Sequence, residues 1–97
     1  MAITAPTNLF APGSAAATAL ITGMAYGEVV TLCLKAGAQT DLVNARPIVI
    51  EWQDSDGNWQ AATSMSRSLM AVEFVWRGPS RVTRAASNVV GFGVDQR

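Results

Sequence analysis

Apolar and polar residues alternate with a period of two over much of this chain, which predicts strands rather than helices. In Glu28–Lys35, Val30, Leu32 and Leu34 alternate with Val29, Thr31 and Cys33, so one face is strongly apolar. Pro47–Gln53 repeats the pattern, with Ile48, Ile50 and Trp52 against Val49, Glu51 and Gln53. Proline is tolerated at the start of such a strand because it has no ladder N–H to offer. The polar run Asp54-Ser-Asp-Gly-Asn58 then predicts a turn, and Trp59–Thr63 its return strand, so that Ile48–Trp59 reads as a β-hairpin.

Further strands are predicted over Leu69–Trp76, Arg81–Ala85 and Val89–Asp95, separated by the Gly78-Pro79-Ser80 turn and by Asn88. Ala15–Thr22 is ambiguous: its alanines favour helix and its Thr-Ala-Leu-Ile-Thr end favours strand. A strand is the expectation, because every later element is β. Residues 36–46, with Gly37, Asp41 and Asn44, form a loop. Short strands at this spacing predict an all-β fold, a single small β-sandwich (Ig-like or jelly-roll-like) of six to eight strands. The sandwich is assigned to residues 15–97. Residues 1–14, broken by Pro6, Pro12 and Gly13, predict an extended N-terminal arm on which Leu9 and Phe10 are docking residues, either in cis or onto a neighbour.

Composition changes this picture in one respect. The chain of 97 residues is 49% hydrophobic and only 14% charged, against about a quarter charged in an ordinary soluble domain. The apolar excess points to self-association or to a larger assembly. The formal net charge is zero, and residues 1–34 hold a single charge, Glu28. No basic field is present to attract nucleic acid or a membrane surface. The Ala15–Ala25 run is too short and too interrupted for a membrane span, and no positive residue precedes it as in a signal peptide, so the expectation is folding in the cytosol.

The candidate chemistry is sparse. The absence of histidine removes the commonest general base and transition-metal ligand, and the single cysteine, Cys33, rules out an internal disulfide and a thiolate cluster. The chain is therefore read as non-enzymatic, with no cofactor and no metal. Asp54, Asp56 and Asn58 invite a calcium reading, but Gly57 comes too early for an EF-hand loop and the turn accounts for all of them. Cys33 reads as a small packed side chain. Trp52 and Trp76 lie in phase with Ile50 and Phe74 and are expected in the core, whereas Trp59 is left open as a platform for stacking on a sugar ring. Arg77, Arg81 and Arg84 cluster around the Gly78-Pro79 turn and are candidate contacts for acidic groups on a partner.

The segment Val75-Trp-Arg-Gly-Pro-Ser-Arg-Val-Thr-Arg84 is similar to a pattern found in small tailed-bacteriophage virion proteins, in which a strand leads into Gly-Pro-x and a basic strand follows. The hairpin upstream resembles the partner strand pair, so the likeness spans residues 47–94. It implies a structural protein of the capsid decoration or cement type, on the capsid surface of the virion after assembly in the host cytoplasm. Its implied partners are itself, as a homotrimer, and the major capsid protein or another virion protein. No site residues carry over with it. The alternative is a phage tail or fibre module that binds host glycans through Trp59.

Overall fold

The computed structural model describes residues 6–97, so the part of the arm in residues 1–5 lies outside the described residues. Eight strands follow in order: β1 (Thr7–Phe10), β2 (Ala17–Leu20), β3 (Val29–Lys35), β4 (Ile48–Gln53), β5 (Trp59–Met65), β6 (Ala71–Val75), β7 (Ser80–Arg84) and β8 (Gly93–Gln96). They form two four-stranded sheets, β1-β8-β3-β6 and β2-β7-β4-β5, with every pairing antiparallel. The described residues contain no helix, and the fold is the small β-sandwich that the alternation predicts.

The period-two pattern becomes the core directly. Val30, Leu32 and Leu34 of β3 face Ile48 and Ile50 of β4 across the sandwich, joined by Val82, Met65, Ile21, Phe92 and Val94. Fully burying each of these side chains contributes roughly 1.5–3 kcal/mol. Ala15–Thr22 resolves as strand rather than helix, since Ala17–Leu20 pairs with Arg84–Arg81 of β7.

Two sequence features place the chain ends. Thr7–Phe10, within the stretch read as an arm, forms β1 and pairs with β8, with a register shift between Asn8 and Phe10. Leu9 and Phe10 pack against the chain's own core. Gly93 permits this: a Cβ there would sit 2.6 Å from the Phe10 carbonyl oxygen and 2.7 Å from the Pro12 nitrogen. On the outer face, Lys35 of β3 donates to Asn8 of β1 and Asp95 of β8, tying the three strands together.

The hairpin between β4 and β5 is held by turn chemistry. Asp54 Oδ1 accepts the amides of Asp56 and Asn58, both at 2.9 Å, and its Oδ2 accepts Gln60 Nε2 at 2.9 Å. Gly57 takes φ 84°, in the left-handed region. Further along the hairpin the register slips: Ile50 opposes Thr63 but Glu51 opposes Ala61, so Ala62 is an extra residue in β5. Such a bulge switches the face to which the following side chains point.

Candidate functional site

The two edges of the sandwich differ. At one, β1 and β2 lie against each other and the sheets close. At the other, among the described residues, β5 and β6 each pair on one side only, with β4 and β3 respectively. Between them opens a cleft of about 400 Å³ whose apolar walls are Ile50 and Trp52 from one sheet and Val72 and Phe74 from the other, with Pro79 at its end. This open edge is the candidate site.

Trp52 is the feature of the cleft that the sequence did not anticipate. Its phase does aim it inward with Ile50, yet it is 48% exposed instead of lying in the core. The space opposite it is the cleft, not packed side chains. Trp76 does pack against the core, but its indole Nε1–H is buried with no acceptor among the described residues. Trp59, on the outer face, is half-buried, because the Arg81 guanidinium lies 4.2 Å from its ring centroid. One face of Trp59 is thus occupied by a cation–π contact, which leaves less of the ring open to stack on a sugar.

The three arginines do not form one surface. Arg77 is exposed beside the cleft. Arg81, on the outer face of β7, donates through Nε to Glu51 Oε1 at 2.7 Å while it covers Trp59. Arg84 departs furthest from the expected partner contact: it is only 8% exposed and points to the inner side with Val82. Its Nε donates to the Ala15 carbonyl at 2.9 Å, and its Nη1 donates to the carbonyls of Ala11 at 2.7 Å and Phe92 at 2.9 Å. The Phe10 ring packs against the guanidinium, 5.0 Å from centroid to Cζ. Three backbone carbonyls take three of the five guanidinium N–H donors and an aromatic ring covers the group, and burial pushes the arginine pKa down from its ordinary value. Arg84 is a clamp on residues 11–15.

The polar turns likewise account for their own charges. Hydrogen bonds from the Gln60 side chain and then the Asn58 amide hold the Asp54 carboxyl below its ordinary value, and the Asn44 amide and side chain do the same for Asp41. Both Asp54 oxygens are engaged by N–H donors, and the described residues hold no group of three or more His, Cys, Asp or Glu side chains arranged for a metal ion. Cys33 is a free thiol, half-buried on the outer face of β3 between Ala71 and Asp95 in register.

No family model, curated protein or solved structure matches this chain.

Proposed function

We propose that this chain is a non-enzymatic virion structural protein of the capsid decoration or cement type, which self-associates and binds the protein lattice of a phage head at the capsid surface. The observation that carries the reading is the open edge of the sandwich, where two edge strands flank an apolar cleft with Trp52 at its mouth. Edge strands and exposed aromatic surface are features that proteins ordinarily blunt or cover. A protein that works by buried area in an assembly keeps them. The low charge and the absence of histidine agree with such a role, and the resemblance of residues 47–94 supplies the phage context.

The mechanism is linkage: a ligand that binds the assembled lattice and not the free subunits shifts the equilibrium toward assembly. Trp52, at the mouth of the cleft, is the contact assigned to this work. The glycan-binding alternative is weakened at Trp59, whose ring lies partly under Arg81. Tagged protein mixed with intact phage heads and spun through a density gradient provides the test. Saturable co-sedimentation that Trp52→Ala weakens is the expected result; protein that stays at the top of the gradient at every concentration would refute the reading.

A further inference from the structure

We infer that two copies of this chain pair through β6, joining their sheets into one continuous eight-stranded sheet about a two-fold axis at Val75. The inference extends the self-association part of the proposed function and rests on three observations about β6.

The first is hydrogen-bond parity. Trp76 N–H donates to the Glu28 carbonyl and Leu34 N–H donates to the Met70 carbonyl, both at 2.8 Å. These bonds mark the even-numbered residues of β6 as the ones whose backbone groups face β3. In an antiparallel ladder the alternate residues then turn their N–H and C=O groups the other way. Ala71, Glu73, Val75 and Arg77 therefore present backbone donors and acceptors along an edge that no strand among the described residues covers.

The second is the side chains at those same positions. Glu73 and Arg77 are exposed, and neither joins an ion pair among the described residues, where the pairs are Lys35–Asp95 and Arg81–Glu51. Val75 between them is 40% exposed on an outer sheet face, with Val29 beside it in register.

The third is the near-palindrome Glu73-Phe-Val-Trp-Arg77. An antiparallel pairing of β6 with its own copy, centred on Val75, sets Glu73 opposite Arg77 of the second copy and Arg77 opposite its Glu73. Val75 meets Val75, and on the inner face Phe74 meets Trp76 twice. Oppositely charged and aromatic cross-strand pairs are both favourable. Other registers lose this. Centring on Phe74 sets Glu73 against Val75, and centring on Glu73 sets like charges together. A two-fold interface of this kind is self-complementary and generates dimers, not a three-fold ring.

The test is charge reversal at the two positions, read by light scattering on a sizing column from micromolar to millimolar protein, with circular dichroism to verify folding. Wild type is expected at twice the 10.2 kDa chain mass. Glu73→Arg and Arg77→Glu each place like charges in both symmetry-related pairs and should weaken the dimer by about tenfold or more. The double variant Glu73→Arg/Arg77→Glu should recover the dimer, and an equimolar mixture of the two single variants should form a heterodimer. A wild-type monomer, a trimer, or an oligomer indifferent to both reversals would overturn the inference. Co-sedimentation with phage heads is read separately, so loss of lattice binding with this charge series intact would refute the proposed function alone.

Discussion

Replacing Arg84 by methionine keeps most of the apolar stem against Phe10 and removes the guanidinium, which isolates the energetic role of the clamp. Three hydrogen bonds from a charged donor group are lost, to Ala11, Ala15 and Phe92. Bonds of this class contribute about 1.5–3 kcal/mol each in mutational series, and an orphaned buried carbonyl costs about 1–3 kcal/mol. Two effects reduce the sum. The desolvation cost of the buried charge disappears with the charge, and carbonyls near the surface recover water. A net loss of roughly 2–3 kcal/mol remains, which for a domain of this size lowers Tm by about 10–20 °C. Arg84→Lys should recover only part of this, because an ammonium is a point donor and cannot reproduce the planar fork. Urea and thermal unfolding give the global number. Amide exchange gives a local one, since the amides of Gly13, Ser87 and Gly91 pair across the clamped segment and should exchange faster in the variant. An Arg84→Met protein within about 0.5 kcal/mol of wild type, the spread of ordinary surface substitutions, would refute the clamp.

Three further outcomes follow from the same geometry. Gly93→Ala drives a Cβ into the backbone of Phe10 and Pro12, and unfolding should register a loss of about 2–4 kcal/mol with β1 displaced from β8; an unchanged urea midpoint would count against the close approach. Phe92→Ala empties a fully buried site and should cost about 3–5 kcal/mol, whereas Trp52→Ala, at the mouth of the cleft, should cost under about 1.5 kcal/mol despite removing the larger ring. Asp54 has a folded pKa below its ordinary 3.8, so its contribution is fully present above that value and is lost as pH falls through the lower, folded one; Asp54→Asn should flatten the dependence of the urea midpoint on pH below about 4, and identical acid profiles would show that the turn does not use the charge.

The strands were legible wherever one face is buried and the other is not. β3 and β4 carry that alternation in their side chains, and the sandwich follows from it. β5 carries none: five successive residues, from Gln60 to Ser64, are exposed. Without its bulge, Trp59 would share the phase of Met65 and point inward. The extra residue at Ala62 turns it outward, and nothing in Gln-Ala-Ala-Thr announces that slip. Trp52 shows another limit: phase gives the face of a sheet, while depth depends on what stands opposite, and opposite Trp52 is a cleft. Arg84 was readable in part. It is two residues from Val82, hence on the inner face, but its charge argued for a surface. What keeps it inside is the Phe92 carbonyl together with those of Ala11 and Ala15, far away in sequence, which no local pattern reveals.

The place of β8 sets an order of events. It lies between β1 and β3, which share no ladder of their own, so among the described strands β1 has no partner until β8 is made. Sheet β2-β7-β4-β5 has all its strands once Arg84 is made. Pairings between segments so far apart must overcome the closure entropy of long loops before they are rewarded, which makes them slow. One layer of the sandwich can thus be complete while the other holds only its β3–β6 pair and lacks β8 and β1. Until β8 is in place, the inner faces of the chain lack Val94, so a chaperone that shields them would act on folding yield before it acted on the finished fold.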